Sequence, residues 1–493
     1  MTELKRQHGA MVLIQTFSNG GGIGWILGGG AFATLRFGFI WAVIGIAAIY
    51  LLSLLAAWLD WLKFRYRFAE GELYVEQGVF VKKKRYIQQS RVHAINITAG
   101  LFHRMFRLVK VNIETAGGAG ETEVDIVAVT KAEAENIRHA LLYQQARPTQ
   151  EEALEGEEAG KEETTSAEPA KESAVTWNLG MRRLLYAALT SSSVGIILSA
   201  LFGGIWQLEN YLPEHWYDRT MGFVLGLNPT WIAVAVFIVI LISWLASIAL
   251  TMMKYGHFQI NVYEKEIVVG RGLIERKQLT LKPQRITAVR IVRGLLRQPL
   301  GFVSIYVESA GGGSKEEEGS TLLVPLIHER DLPTFFAQVL PDYAFFRPME
   351  VAPRRALIRF LLRNILIPLI LTGVAVYFLG VWGWLGLVIV MLAALLGYFQ
   401  YRDAGAGCND RFLWVQSRTL SQTFVISPKR KIQAVEMHVS WLQRFRRLSS
   451  VSFSVQSSMT GKDFSVEDIG GETGARLYQW FSHEKKKSPY RTD

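Results

Sequence analysis

Two stretches of the chain decide its fold: ELYVEQGVFVKKKRYIQQSRVHAINITAGLFHRMFRLVKVNIETAGG at residues 72–118, and EIVVGRGLIERKQLTLKPQRITAVRIVRGLLRQPLGFVSIYVESAGG at residues 266–312. Set one above the other at a constant offset of 194 with no gap, they agree at 14 of 47 positions. These are Glu72, Val75, Gly78, Lys83, Arg91, Ala94, Ile97, Gly100, Leu101, Val109, Glu114, Ala116, Gly117 and Gly118 with their counterparts. Chance would give about three, so the chain contains an internal duplication. A third, weaker copy at an offset of 340 keeps Leu413, Val415, Ala434, Arg444, Arg447, Leu448 and Val451.

Within each copy the hydrophobic period is that of strands. The segments 72–81 and 267–274 read as β-hairpins with Gly at the turn, and 92–98, 109–115 and 123–129 follow as further strands. The Gly117-Gly118 and Gly311-Gly312-Gly313 pairs and triplets supply turns. Each copy then closes on an amphipathic helix, at 131–145, 331–340 and 474–484. Short antiparallel strands with one C-terminal helix make an α+β module of about 80 residues. Alternation along the strand at 92–98 puts Ile95 and Ile97, with Val289, Ile291, Val435 and Met437, on the core face. Asn96, Arg290 and Glu436 then occupy an outward slot, whose three charge states exclude a shared ligand contact.

What precedes each copy has a different character. Runs without Asp, Glu, Lys or Arg cover 10–35, 37–59, 184–207, 221–253, 364–379 and 381–401. A bilayer core needs about 20 apolar residues per helix, so these lengths predict six crossings in three hairpins. The first is weakened by its glycines and the fifth by its shortness. Lys5, Arg6, Lys63, Arg65, Arg67, Arg182, Arg183, Lys254, Arg354, Arg355, Arg359, Arg363 and Arg402 flank one set of ends, and only Arg36 and Arg219 the other. The positive-inside rule therefore places both termini and every large segment in the cytoplasm of a multi-pass protein of the cell membrane. The expected division is hairpin 1–61, module 62–146, acidic disordered linker 147–176, hairpin 177–253, module 254–346, hairpin 347–401, module 402–485 and tail 486–493.

Composition narrows the function classes. The 493 residues include 50% hydrophobic and only 20% charged ones, and a single Cys408 excludes a disulfide framework or an all-Cys metal site. Residues 151–172 hold nine Glu and two Lys, net −7, which leaves +18 on the rest of a chain whose formal charge is +11. Nine scattered His show no metal-ligand spacing, and no nucleophile elbow, phosphate loop or zinc motif occurs. No enzyme, cofactor or metal is expected. Without intramembrane ionisable residues an ion-coupled carrier is disfavoured, and without a reading helix or aromatic stacking pattern the basic charge does not predict nucleic-acid binding.

The hairpins, the Gly-Val-Phe and Gly-Leu-Ile turns, Arg91-Val-His-Ala-Ile and Arg285-Ile-Thr-Ala-Val, and the strand endings Glu-Thr-Ala-Gly-Gly and Glu-Ser-Ala-Gly-Gly resemble the bacterial pleckstrin-homology-like membrane proteins. The resemblance covers nearly the whole chain except the acidic linker. It implies a polytopic α-helical membrane protein with three cytoplasmic pleckstrin-homology-like modules, each an antiparallel sheet or barrel plus a C-terminal helix. It also implies a shorter single-module membrane partner of the same family. The third copy departs from the pattern, with Ser440-Trp441 where the others have Gly-Leu. Each basic residue beside an anionic leaflet is worth about 1 kcal/mol, so the candidate lipid- or partner-binding residues are Arg91, Arg285 and Lys431, a slot basic in all three copies, with Arg276, Lys277 and Lys282. A competing role for that slot is an ion pair with Glu114 or Glu308. The expected function is a membrane-anchored scaffold binding inner-leaflet lipid or a protein partner, with a component of a lipid or antimicrobial-peptide export or protection system as the alternative.

Overall fold

A computed structural model of the chain describes residues 4–18, 39–69, 72–79, 81–89, 92–115, 124–142, 175–191, 228–264, 266–309, 320–343, 349–457 and 461–482, with isolated positions between 195 and 226. The greater part of the uncharged run 10–35, half of the run 184–207, the acidic linker as far as residue 174, the Gly117-Gly118 and Gly311–Gly313 turns, the 486–493 tail and Arg91 lie outside the described residues. The described chain divides into two compact units, Met1–Ala116 with Thr122–Leu281, and Gly117–Glu121 with Lys282–Asp493.

The first unit begins with helices α1 (Met11–Ser18) and α2 (Phe39–Lys63). Strands β1 (Arg65–Ala69), β2 (Glu72–Gln77) and β3 (Lys83–Gln88) then form an antiparallel sheet, with β3 at its edge. Next come β4 (Val92–Ala99), a five-residue helix α3 (Leu101–Met105), β5 (Leu108–Thr115), β6 (Val124–Thr130) and the closing helix α4 (Lys131–Leu142). Tyr66, Leu73, Val75 and Ile87 from the first three strands meet Ile95, Val111, Ile113, Ile126 and, from α4, Ile137 and Leu141 in one apolar core. After the linker, β7 (Val175–Asn178), α5 (Met181–Leu189) and α6 (Pro229–Tyr255) lead into β8 (Gln259–Val262), β9 (Ile267–Arg271) and β10 (Arg276–Leu281). These strands belong to the second copy, yet β10 pairs with β4 of the first, giving a seven-stranded sheet in the order β6-β5-β4-β10-β9-β8-β7.

The second unit repeats this plan. It contains β11 (Ile286–Arg293), β12 (Phe302–Ser309), β13 (Ser320–His328) and α7 (Leu332–Val339), which end the second copy. The third copy follows as β14 (Glu350–Val351), α8 (Leu357–Leu379), α9 (Gly386–Asp403), β15 (Gly405–Cys408), β16 (Phe412–Arg418) and β17 (Gln422–Pro428). It ends in β18 (Ile432–His438), α10 (Trp441–Phe445), β19 (Leu448–Gln456), β20 (Gly461–Gly470) and α11 (Gly471–Phe481). Here β17 pairs with β11, so the sheet runs β13-β12-β11-β17-β16-β15-β14, while β18-β19-β20 form a sheet of their own with β18 at its edge. Phe453 and Phe464, ring centroids 5.5 Å apart, centre the core of this copy.

Local irregularities recur in register. The strand following each basic slot shifts register at Val92/Ala94, Ile286/Ala288 and Ile432/Ala434, and the next strand at Val109/Val111, Val303/Ile305 and Ser449/Val451. Arg107, Gly301 and Arg447, equivalent positions, all have positive φ, at 55°, 67° and 49°. The third copy, weak in sequence, is therefore a full structural equivalent of the others. The strands expected at 92–98, 109–115 and 123–129 match β4, β5 and β6 within a residue, but the second arms of the two hairpins fall beyond 72–81 and 267–274, at Lys83–Gln88 and Arg276–Leu281, because the turns at Gly78 and Gly272 take in the apolar residues read as strand, and the last helix starts three residues before Gly474. Gly78 and Gly272 hold φ near +108° and +105° in the β2–β3 and β9–β10 turns, where an added Cβ would run into the carbonyl oxygens of Val81 and Glu275. Gly272→Ala is expected to destabilise the first unit by about 2 to 3 kcal/mol, since backbone strain and the clash add; a thermal melt of the purified chain checks it.

Three described stretches are long and apolar enough to cross a membrane: Val43–Lys63, Pro229–Tyr255 and Arg354–Asp403. In the last, a 3-10 segment at Gly380–Leu385 breaks the helix, and α9 runs back along α8 so that Asn364 Nδ2 donates to Gln400 Oε1 at 2.8 Å. Helix α8 is longer than the uncharged run because it begins at Leu357 and takes in Arg359 and Arg363. Small residues let these helices close: a Cβ on Gly397 would sit 2.9 Å from the Phe360 carbonyl oxygen. On α6 the buried face is Ser243, Ser247 and Thr251, at four-residue spacing, while Leu184, Ala187 and Ala188 are buried on α5.

Candidate membrane-facing surfaces

A short corner between two strands recurs in all three copies. In the first it is α3, in the second the turn at residues 294–301, and in the third α10. Each must reverse the chain within a few residues, and one polar residue at the same position of every copy holds it to the strands beyond. His103 Nε2 lies 3.0 Å from the Val127 carbonyl oxygen. The equivalent Arg297 donates to Ser304 Oγ and to the Pro325 carbonyl at 3.0 Å. The equivalent Gln443 donates to Ser450 Oγ and to Asp468 Oδ1, both at 2.8 Å. Ser440, the departure from Gly, has a local purpose: its Oγ accepts from Gln443 N–H while Gln443 Oε1 accepts from Ser440 N–H, a capping box that starts α10.

With the polar side chain turned inward, the apolar ones face out. Leu101 and Met105 on α3, Leu295 and Leu296 in the second copy, and Trp441 and Phe445 on α10 are all exposed, Phe445 at 82%. Arginines lie beside them in the sequence: Arg104 and Arg107, Arg293, and Arg444 and Arg446. Two of the corners are bolted to the ends of apolar helices. Phe102 packs against the cluster of Met11 and Ile14 from α1, with Trp61 of α2 beside it. Trp61 Nε1 donates to the Gln7 carbonyl at 2.9 Å, and Gln7 Oε1 accepts from Val127 N–H and Ala128 N–H. Arg104 donates to the carbonyls of Leu273 and Ile274, in the turn that Leu273 N–H ties to Met253 at the end of α6. In the third copy, buried Asp468 accepts from Arg359 Nε at 2.8 Å as well as from Gln443, so one carboxylate joins the first turn of α8 to α10. Arg446 donates to the Arg355 carbonyl and Arg355 to the Arg447 carbonyl, both at 3.1 Å.

The candidate basic residues are distributed differently from the corners. In the first unit Arg276 is exposed at the start of β10, and Lys277 beside it has its ammonium 3.7 Å from Glu275. In the second unit Lys282 precedes the 3-10 turn Pro283–Arg285 and Arg285 ends it. Lys431 Nζ donates to the Gln284 carbonyl at 2.8 Å, which brings the basic slots of the second and third copies together. Burial first, then the charges of Arg430 and Arg285, lower the Lys431 pKa. Lys431 therefore has a structural contact that the sequence did not reveal.

The competing role weighed for the Arg285 slot, an ion pair with Glu308, meets a carboxylate that faces other cations. Glu308, fully buried, faces Lys462 at 3.2 Å and Arg290 Nε at 3.6 Å, and accepts from Ser320 Oγ at 2.7 Å and Ser457 Oγ at 3.3 Å. The register shift at Ile286/Ala288 pairs Ala288 with Glu308 and Arg290 with Tyr306, so Arg290 becomes the diagonal neighbour of Glu308. Arg290, read as outward, also lies 4.9 Å from the Tyr306 ring centroid. The Glu114 side chain and Arg91 lie outside the described residues.

His103 makes one corner sensitive to acid. Burial lowers its pKa below the ordinary 6.5, opposed by the Val127 carbonyl. Because the folded state binds the proton less readily than the unfolded chain, stability is full above pH 6.5 and falls as pH drops through the lowered value. Melting of the first unit is expected to become easier over that window, and His103→Gln, which installs the side chain of the third copy, is expected to remove the dependence.

The sequence comparisons agree with this architecture. The bacterial PH domain family matches residues 23–145, 218–341 and 364–485. The chain is 36% identical over 458 residues to the UPF0699 transmembrane protein YdbT of Bacillus subtilis (strain 168), spanning 92% of this chain and 91% of that one. No solved structure matches.

Proposed function

Because the chain belongs to the bacterial PH domain family and carries its domain three times, we propose that this membrane protein is a scaffold, not an enzyme, that holds three modules against the cytoplasmic face of the cell membrane to bind anionic inner-leaflet lipid. The six uncharged runs would then cross as three hairpins, with both termini inside. The observation that carries the reading is the recurrent corner, where exposed apolar side chains stand with neighbouring arginines in all three copies, in the first and third beside the ends of apolar helices. Apolar side chains at that level enter the boundary between headgroups and acyl chains, while neighbouring cations meet anionic headgroups. Monomeric soluble surfaces seldom place large apolar residues together at the same corner of every repeat.

Nitroxide labels test this in the full chain, reconstituted in phosphatidylglycerol-containing nanodiscs in a Cys408→Ser background. Labels at Met105→Cys, Leu296→Cys and Phe445→Cys are expected to be accessible to oxygen and shielded from a water-soluble nickel complex. Glu472→Cys, exposed on α11, is expected to show the reverse. Phe237→Cys, in the middle of α6, serves as the reference for a label within the bilayer. Nickel access at all three corners, with Phe237→Cys shielded, would leave an anchored protein whose modules do not touch lipid.

A further inference from the structure

The two seven-stranded sheets are joined in the same way. In the first unit Ile95 lies opposite Thr280 and Ile97 opposite Gln278; in the second, Val289 lies opposite Ile426 and Ile291 opposite Phe424. Offsets of 194 on one strand and 146 on the other convert each pair of the first junction into the corresponding pair of the second. A junction thus consists of a β4-type edge from one module and a β10-type edge from the next, always antiparallel and always in one register. The chain has three modules and two such junctions. One half-junction is left at each end among the described residues: β3, the counterpart of β10 and β17, and β18, the counterpart of β4 and β11.

We propose that copies of this chain associate head to tail, β3 of one copy pairing antiparallel with β18 of another to form the same junction between molecules. The register follows from the internal ones: Lys84 opposite Met437, Arg85 opposite Glu436 and Tyr86 opposite Val435. It sets a cation against a carboxylate that is 64% exposed, a favourable cross-strand pair. It also accounts for Tyr86, which is 63% exposed although its counterparts Thr280 and Ile426 are 1% and 3% exposed. Lysines on an edge strand commonly guard it against pairing, but they do not guard this one. Lys82 and Lys83 occupy the positions of Arg276 and Lys277, which pair with Ala99 and Thr98 in the first junction. The contact is heterologous, so it yields a ring where the rotation closes and a filament where it does not. A second copy of this chain is the occupant because the chain itself carries both complementary edges.

Disulfide trapping in membranes tests the register. Two differently tagged full-length chains, both Cys408→Ser, are co-expressed, one with Arg85→Cys and the other with Glu436→Cys. Directly opposed residues of an antiparallel pair have Cα atoms about 4.5 to 5.5 Å apart, within the roughly 4.4 to 6.8 Å a disulfide spans. Oxidation is expected to link the two tags, to link neither variant with itself, and to convert a chain bearing both substitutions into a ladder of multimers. Asn96→Cys with Leu279→Cys in one chain, opposed in the first junction, reports that the fold and the oxidation are intact. Loss of the intermolecular link while that internal link forms would overturn the proposal, and so would self-linking of Arg85→Cys as strong as the mixed link.

Discussion

Replacing Arg290 and Lys462 together by Met is expected to destabilise the second unit by about 3 to 5 kcal/mol, a larger effect than removal of the charge they face. The asymmetry comes from exposure. The Glu308 side chain is 0% exposed, whereas Arg290 and Lys462 keep 24% and 27% of theirs. Stripped of both cations, the carboxylate keeps only the hydroxyls of Ser320 and Ser457, and a buried charge without a counter-charge is the costly case. In Glu308→Gln the two cations can turn toward water, and the amide still meets Ser320, so about 1 to 2 kcal/mol is expected, the range for losing a charge-assisted hydrogen bond. Either single cation replacement should fall between the two. Thermal melts of the purified chain in detergent rank the four variants, at roughly 2 to 4 °C per kcal/mol for a unit of this size. Equal shifts for Glu308→Gln and the double variant would show that the carboxylate is solvated.

The second large effect concerns the clamp between α8 and α10. Arg359→Leu leaves Asp468, whose side chain is 4% exposed, with Gln443 as its remaining side-chain donor, and about 3 kcal/mol of stability is expected to go with the lost cation. Asp468→Asn keeps a hydrogen-bond acceptor and leaves Arg359, 24% exposed, free to reach solvent, so about 1 kcal/mol is expected. The functional consequence is separate from the stability: a nitroxide at Phe445→Cys should become more mobile in Arg359→Leu, because the corner loses its tie to the first turn of the apolar helix. Unchanged mobility would mean that the Arg355, Arg446 and Arg447 backbone contacts suffice.

What the amino-acid pattern revealed depended on how local the physics was. Ile95, Ile97, Val289 and Ile291 alternate with polar residues and were readable as a core face, and all four are buried. The stretches Val43–Lys63, Pro229–Tyr255 and Arg354–Asp403 were readable because a long uncharged run has few other uses, whereas Met11 and Ile14, at the start of the first run, pack in a cluster with Leu108 and Ala128 of the first module. The corners were not readable. Five residues are too few to show a helical period, and exposed Leu, Trp and Phe contradict the pattern from which a core is inferred. Trp441 and Ser440 looked like a loss of the motif, although Ser440 builds the capping box and Trp441 occupies the outward position of Leu101 and Leu295. The partners of Glu308 were hidden by a single-residue register shift, which moved Arg290 into reach. Edge pairing was hidden for a different reason: β10 and β17 carry the same local pattern whether they end a sheet or join two, and only the tertiary arrangement decides.

Sidedness is the claim on which the scaffold reading rests, and the native thiol is a poor reporter of it. Cys408 lies in β15, half-buried, and burial raises its pKa, so the thiolate that reacts with a maleimide is scarce at neutral pH. Exposed positions serve better: Asn136→Cys, Gln284→Cys and Glu472→Cys, one in each copy, each made singly in a Cys408→Ser chain. Treated with a membrane-impermeant maleimide, intact cells are predicted to leave all three unlabelled, and cells permeabilised beforehand to label all three. Labelling of any of them in intact cells would place that module outside the cytoplasm and contradict the account.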